Sequence, residues 1–208
     1  MLYGAVSGAR SRTVRAVPII NRELSDMKKI HFLEPLAAVL TAMAAGCSPS
    51  AADIPPVENF DAGRYMGEWY EIARLPHRFE RDMDFVRAEY SPNPDGTIKV
   101  VNRGVRRGEL RTITGKAKAK SPSANPPEGL LEVSFFGPFY SEYRIIRLDA
   151  AYRLAVVTGP TRNYLWILSR TPTISGEQLN VLLGFVRDLG FDIEKLEYPR
   201  QTPPPQPR

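Results

Sequence analysis

The sequence predicts an all-β fold, an eight-stranded antiparallel up-and-down β-barrel with one C-terminal helix packed on its outside. Between residues 57 and 198, short apolar runs alternate with turn-forming residues, a pattern typical of all-β barrels and sandwiches. A single helical pattern follows the last run. An indole at the start of the first run and a guanidinium at the end of the last favour closure of the sheet into a barrel.

Turn signals delimit the strands. Residues 93–96 (NPDG) and 106–108 (RRG) have the composition of tight turns, and residues 121–128 form a Pro-rich loop. The predicted strands are residues 69–75, 85–91, 97–103, 110–120, 130–136, 143–148, 154–158 and 164–169.

A helix is predicted after the last strand. Ser175 and Gln178 have the spacing of a capping box, and Gly190 ends the helical pattern. The apolar stripe of this helix consists of Leu179, Leu182, Leu183 and Val186. Because the stripe is narrow, we expect the helix to dock on the outside of the sheet. Residues 191–198 are consistent with one more short strand.

The N-terminal residues predict a processed leader. Residues 27–47 begin with Met27 and two lysines, continue through an apolar run and end in Ala-Ala-Gly-Cys, as secretory signals do. We therefore expect translation from Met27, with residues 1–26 as a non-native extension. The Gly-Cys end resembles a lipoprotein signal, which implies acylation of Cys47. The alternative is a plain secreted protein, cut near Ala45, with a free thiol.

The remaining chain divides into a tether over residues 48–56, the barrel over residues 57–198 and a Pro-rich disordered tail over residues 199–208. Residues 1–47 hold six Lys or Arg and three acids, so the net charge of +5 falls to +2 beyond them, which does not favour nucleic acid as a partner. With a single cysteine and two histidines, the barrel has no disulfide, no thiol nucleophile and no His/Cys zinc site. We expect no metal and no cofactor.

Three short motifs carry a family resemblance. Residues 59–75 read NFDAGRYMGEWYEIARL, residues 157–160 read VTGP and residues 164–170 read YLWILSR. In this order they resemble the three signature regions of the lipocalins. The segments HRFER, VSFFGPFY and YLWILSRTPTIS are similar to those of the bacterial outer-membrane lipocalins of the Blc type. The resemblance implies that Gly67, Trp69 and Arg170 are structural, with Arg170 across the face of Trp69.

Alternation along the strands predicts which side chains line the interior. An eight-stranded barrel leaves room for one small ligand, and the resemblance favours a cavity over a filled interior. The predicted lining residues are Val86, Ala88, Tyr90, Val100, Asn102, Leu131, Val133, Phe135, Tyr164 and Trp166. Among them, Tyr90, Asn102 and Tyr164 are candidates to hydrogen-bond a polar head group at the open end.

The resemblance implies a lipid-anchored lipocalin of the outer membrane, facing the periplasm, that stores or carries a fatty acid or lysophospholipid. Two alternatives stay open: an envelope interaction protein with a filled barrel, and a lipocalin-fold enzyme acting on a lipophilic substrate. For an enzyme, His77 is the candidate general base. The aromatic segment 135–143 places Phe139 and Tyr140 at a loop tip, where they would form a ligand gate, a membrane contact or a subunit contact, or fold back onto the barrel. A homodimer therefore stays open.

Overall fold

A computed structural model describes residues 49–77 and 80–201 of the 208-residue chain. Its strands are β1 (Gly67–Arg74), β2 (Met83–Pro92), β3 (Ile98–Arg106), β4 (Glu109–Ala119), β5 (Leu130–Phe136), β6 (Phe139–Leu148), β7 (Leu154–Thr158) and β8 (Leu165–Ser169). Each strand pairs antiparallel with its sequence neighbours, and β1 pairs with β8. The predicted fold class is confirmed: the strands form a closed eight-stranded barrel.

Two α-helices accompany the barrel. The short α1 (Ala62–Tyr65) precedes β1, and α2 (Gly176–Asp188) follows β8. The predicted capping box begins α2, because the Ser175 hydroxyl accepts from the Gln178 amide and the Gln178 side chain accepts from the Ser175 amide. Gly190 follows the helix with a φ of 81°. No helix among residues 49–77 and 80–201 is long and apolar enough to cross a membrane.

Strand alternation divides the apolar side chains into an inner and an outer layer. The buried inner layer consists of Phe60, Tyr65, Trp69, Tyr90, Ile98, Val100, Ala117, Leu131, Ile145, Tyr152, Ala155, Val157 and Leu168. The buried outer layer consists of Ala51, Ile54, Ala73, Leu75, Ile146, Val156, Leu165, Ile167, Leu182, Val186 and Phe191. Because Leu182 and Val186 belong to the stripe of α2, the helix docks on the outside of the barrel as predicted.

The two ends of the barrel differ. At the base, β1 begins at Gly67, β8 ends at Ser169, and α1 lies just before the first strand. At the opposite end, which we call the mouth, lie residues 75–77 and 80–82 between β1 and β2, and the connections formed by residues 107–108, 137–138 and 159–164. The direction of each strand therefore tells which of its residues lie near the base and which near the mouth.

Residues 49–56, predicted as part of a tether, instead pack against the barrel. Ala51 and Ile54 are buried in the outer layer. The Ala51 amide donates to the Pro160 carbonyl at 3.1 Å, and Arg144 Nη1 donates to the Ile54 carbonyl at 2.9 Å. The prediction is wrong here because an apolar side chain such as Ile54 gains more free energy from burial than from exposure in a solvated linker.

Residues 191–198 do not form the additional strand. They contain a 3₁₀ turn (Ile193–Lys195), followed by a single antiparallel bridge between Glu197 and Arg74. The Arg74 amide donates to the Glu197 carbonyl at 3.0 Å, and the Glu197 amide donates to the Arg74 carbonyl at 2.8 Å. The contact is confined to one residue pair at the end of β1.

The start of the predicted disordered tail is also ordered against the barrel. The Arg200 carbonyl accepts from the Phe85 amide at 2.6 Å. The side-chain amide of Gln201 donates to the carbonyls of Glu71 and Val86 at 2.6 and 2.9 Å. In β1, only the first four residues pair with β2, so backbone groups farther along both strands need other partners. The chain after the 3₁₀ turn supplies them.

Several predictions concern residues outside the described ones. These are the extension over residues 1–26, the leader over residues 27–47 with Cys47 as its acylation site, and the remainder of the tail over residues 202–208. They stay predictions.

Candidate ligand-binding site

Arg170 closes the base of the barrel. Its guanidinium carbon lies 4.0 Å from the centroid of the Trp69 ring, the contact that the sequence predicts. The guanidinium also donates, at 2.8 to 3.2 Å, to the backbone oxygens of Arg64, Tyr65, Glu68 and Tyr152. Gly67 has a φ of 94°, and a Cβ at this position would lie 3.2 Å from Arg170 Nη1. The backbone and the guanidinium together therefore require glycine here.

Three tyrosines fill the space above this closure. The Tyr143 hydroxyl lies 2.8 Å from that of Tyr65 and 2.9 Å from that of Tyr90. Burial raises the pKa of Tyr90 to about 12, and it raises the pKa of both other phenols well above the usual value. Tyr90 lies opposite Gly67, so its hydroxyl is at the base. The prediction that it meets a head group at the open end is wrong.

Cross-strand pairs place the predicted lining on the inner face of the barrel. Ala88 lies opposite both Trp69 and Asn102, and Tyr90 lies opposite Val100. The predicted lining residues in the inner layer, or packed against it, are Ala88, Tyr90, Val100, Leu131, Val133, Phe135 and Trp166. Whether these side chains contact a ligand stays a prediction.

The other two apolar or aromatic positions lie toward the mouth. Val86 is buried, and its Cγ2 would lie 3.1 Å from a Cβ at Gly104 on the neighbouring strand. The ring of Tyr164 stacks on Trp166 with centroids 6.1 Å apart. Both aromatic rings are half-buried. The upper wall is therefore built partly from two stacked rings.

Solvent exposure of the inner wall increases from the base to the mouth. Trp69 and Tyr65 at the base are 0% exposed, whereas Ile113 is 37% exposed. Ile113 lies opposite Asn102 and therefore faces the interior. A large apolar side chain that faces inward and still contacts solvent indicates that the upper barrel is open.

A buried ion pair that the sequence pattern does not predict lies on the inner face below the mouth. Arg74 Nη1 donates to Glu71 Oε1 at 2.7 Å, and Arg74 Nε donates to Glu197 Oε2 at 2.9 Å. Burial raises the pKa of Glu71 well above its usual range, and the nearby Glu80 carboxylate raises it further. Glu71 lies two residues after Trp69, so alternation alone could have placed it inside.

Glu80 is the acceptor in a second polar group. Its Oε2 lies 2.8 Å from His77 Nε2 and accepts from Trp166 Nε1 at 3.1 Å. Burial favours the neutral form of Glu80 and so acts to raise its pKa. The hydrogen bond and charge interaction with His77, together with the hydrogen bond from the Trp166 indole, outweigh burial, so the pKa of Glu80 lies below its usual value. Among the described residues, no group of His, Cys, Asp and Glu could hold a metal ion.

Asn102 provides an unpaired polar atom on the inner face. Its Oδ1 is buried and has no hydrogen-bond partner in the part of the chain that the structure describes. Leaving such an acceptor unpaired costs about 1–3 kcal/mol. A donor brought in by a ligand would remove that cost. Asn102 is therefore the predicted lining residue with a specific chemical preference.

A family model described as a lipocalin-like domain matches residues 60–201. The chain belongs to the lipocalin family. It is 46% identical over 175 residues to the outer membrane lipoprotein Blc of Citrobacter freundii, covering 80% of this chain and 96% of the relative. It is 47% identical over 178 residues to the Blc lipoprotein of Escherichia coli K12, covering 81% and 97%. Most of this lipocalin therefore aligns with proteins named outer membrane lipoproteins.

More distant relatives extend the comparison. Rat apolipoprotein D is 35% identical over 151 residues, which cover 68% of this chain and 78% of the relative. Insecticyanin of the tobacco hornworm Manduca sexta has a similar solved structure, with a TM-score of 0.62 and 20% identity over 74% of this chain and 88% of that one. The structural likeness supports the barrel fold. Lipocalins are generally binding and transport proteins for hydrophobic molecules.

Proposed function

We propose that this lipocalin binds a single-chain acyl lipid, a lysophospholipid or a fatty acid, in the upper half of its barrel. The observation that carries the proposal is that the mainly apolar inner wall is filled at the base and reaches solvent at Ile113 in the upper part. Ile113 marks the open part, and the buried Trp69 marks the filled part. A closed base with an open mouth fits a ligand that enters with its apolar end first.

The free energy of binding comes from the acyl chain. Burying some hundreds of Å² of apolar surface contributes roughly 25 cal/mol per Å², and part of this gain is lost in immobilising the chain. The head group stays near the mouth, where the His77 and Glu80 side chains lie. Such a protein shields a lipid from water between membranes.

The side chain of Asn102 favours lysophospholipid over fatty acid as the bound ligand. Its unpaired Oδ1 needs a donor, and the glycerol hydroxyl of a lysophospholipid is one. An ionised fatty acid has a carboxylate that only accepts hydrogen bonds, so it leaves this oxygen unpaired. The expected order of affinity is therefore lysophospholipid before fatty acid of the same chain length.

The same proposal places the protein at the outer membrane, facing the periplasm and anchored by acyl chains on Cys47. The support is the Gly-Cys end of the leader and the names of the relatives, which are outer membrane lipoproteins. Several acyl chains on one residue anchor a protein firmly, since each buried CH₂ contributes about 0.8 kcal/mol. Radiolabelled palmitate in the parent, and none in Cys47→Ser, would verify the anchor.

Extraction of lipid from the purified full chain, followed by native mass spectrometry, tests the ligand. We expect a bound acyl lipid and quenching of Trp166 fluorescence on titration, absent in Trp166→Phe.

Ala88→Phe places a ring in the cavity and should weaken binding about tenfold or more. Ala151→Phe is the matched control, because Ala151 is exposed in a turn at the base. An empty barrel that also fails to bind added lipid would support the filled-barrel alternative.

Selectivity is tested with Asn102→Leu. The variant should lower lysophospholipid affinity about fivefold, as expected for one lost hydrogen bond of about 1 kcal/mol, and leave fatty-acid affinity unchanged. Displacement of a fluorescent fatty acid by each unlabelled lipid gives both affinities. Equal losses for the two lipids would show that Asn102 acts through packing alone.

A further inference from the structure

The mouth carries apolar side chains that the interior does not use. Phe136 and Phe139 are 66% and 78% exposed at the tip of the β5–β6 hairpin, and Leu110 is 68% exposed at the start of β4. Ile113 and Tyr140 bring the exposed large apolar side chains on these strands to five. The other two among the described residues are Val181 on α2 and Tyr198 after the 3₁₀ turn. Exposed apolar groups concentrated at one end of a protein mark a contact surface.

A cleft of arginines lies at the same end. Arg81, Asp82, Arg106 and Arg107 line a surface cleft of about 320 Å³ between the β1–β2 and β3–β4 connections. Arg106 Nε donates to the Arg81 carbonyl at 2.7 Å, which holds the two connections together. Among the described residues, none of the three arginines forms an ion pair within 4.0 Å. Guanidinium groups in such a cleft suit phosphate oxygens.

The described chain begins beside the mouth. Ser50 forms a bridge with Thr161, and the Arg162 amide donates to the Pro49 carbonyl at 2.9 Å. Thr161 and Arg162 belong to the β7–β8 connection, which lies at the mouth. Cys47 is two residues before Pro49, a span of at most about 7 Å. An anchor on Cys47 would therefore hold the mouth, rather than the base, next to the bilayer.

We propose that the mouth is a docking surface for a bilayer containing anionic phospholipid. Phe136, Phe139 and Leu110 enter the interface, and the arginine cleft binds lipid phosphates. Aromatic rings favour the membrane interface, and arginines are attracted to anionic head groups. The orientation rests on the proposed anchor, whereas the docking surface itself rests on the mouth residues. Docked in this way, the barrel exchanges its acyl ligand with the membrane without exposing it to water.

Vesicle flotation of the full chain carrying Cys47→Ser tests the surface. The substitution removes the acyl anchor, and every variant is compared with this parent, so that any contribution of the leader cancels. The probes are phosphatidylcholine vesicles with and without phosphatidylglycerol. Replacing both Phe136 and Phe139 by Ser should lower partitioning to both kinds of vesicle about tenfold or more. Val181→Ser, an exposed apolar position on α2, is the control and should change nothing.

The arginine cleft is tested by charge reversal. The double variant Arg81→Glu, Arg107→Glu should lose about tenfold in binding to the anionic vesicles and little in binding to the neutral ones. The double variant Lys99→Glu, Arg153→Glu makes the same change in net charge at exposed positions near the base. It should retain most of the binding. Added salt should weaken the parent on anionic vesicles only.

Three results would overturn the proposal. The first is an equal loss of vesicle binding in the charge-reversal variants at the mouth and at the base. The second is that the variant lacking Phe136 and Phe139 binds vesicles as well as the parent. The third is a molecular mass by light scattering that shows a second copy of the chain bound at the mouth. Lysophospholipid titration of the same samples, without vesicles, reports the proposed cavity. If lysophospholipid does not bind in this titration while flotation is normal, the proposed function is refuted and the docking proposal stands.

Discussion

The base and the mouth of the barrel are built from similar side chains used in opposite ways. At the base, Trp69 is fully buried, Arg170 lies over its face, and the Tyr90 hydroxyl has a partner. At the mouth, Phe136 and Phe139 are mostly exposed. Aromatic rings therefore stabilise one end and remain available for binding at the other. Composition alone therefore does not separate a core from a contact surface, whereas position along the barrel axis does.

The largest effect is expected at the base. Trp69→Ala should lower the free energy of unfolding by about 3–5 kcal/mol, because it removes a fully buried ring and its hydrogen bond to the Tyr65 carbonyl. Denaturant unfolding followed by circular dichroism measures the loss. Trp166→Ala, at the half-buried tryptophan near the mouth, should cost clearly less. An equal loss of unfolding free energy in both variants would contradict the difference between the two ends.

Arg170→Met should cost about 2–3 kcal/mol, since it leaves several backbone oxygens at the base without their charged donor. Arg170→Lys should rescue only part of this loss, because an ammonium group cannot reach the same set of oxygens. Arg87→Met is the control: its ion pair with Glu68 is exposed, so the expected cost is below about 0.5 kcal/mol. Similar costs for the two arginines would contradict the assigned closure.

Alkaline pH should weaken the base. The pKa of Tyr90 is about 12 in the folded protein and about 10 in the unfolded chain, so the unfolded state loses its proton first as the pH rises. The contribution of the protonated Tyr90 to stability is complete below pH 10. By pH 11, ionisation of Tyr90 in the unfolded chain should lower the free energy of unfolding by about 1 kcal/mol. Unfolding curves between pH 8 and 11 test this. Tyr90→Phe should flatten part of the decline, whereas Tyr198→Phe, with an exposed ring, should not.

The smallest effect is expected at the mouth. Phe136→Ser should change the free energy of unfolding by less than about 0.5 kcal/mol, since the ring is 66% exposed. Chemical denaturation in the absence of lipid provides the measurement. A loss above about 1 kcal/mol would mean that the ring packs on the barrel in solution, and the mouth would then resemble the base.

Much of the fold could be predicted from local pattern. Alternation and turn residues located eight strands, and the Ser175–Gln178 spacing located the start of α2. The contact of Arg170 with Trp69 followed from matching the two ends of the barrel. These features depend on residues close in sequence or on family motifs, so they are visible without coordinates.

Other features required the register between strands. Alternation predicts the face of the strand on which Tyr90 lies but not its height along the barrel axis, so its place at the base is not visible in the sequence. Glu71 and Arg74 are of residue types that are mostly exposed, so their burial is not visible in residue type alone, although a buried carboxylate and guanidinium can satisfy each other. The packing of Ile54 on the barrel depends on partners distant in sequence, which a composition typical of linkers does not reveal.

The segment after the 3₁₀ turn has a consequence for the order in which the protein is made. Glu197, Arg200 and Gln201 supply partners to the backbone of β1 and β2 where these two strands no longer pair with each other. The second half of the first strand is therefore completed by residues that follow all eight strands in the chain. A nascent chain cannot complete this seam until the residues after α2 have been made, so the barrel wall between its first two strands closes later than the pairing of β2 with β3 allows.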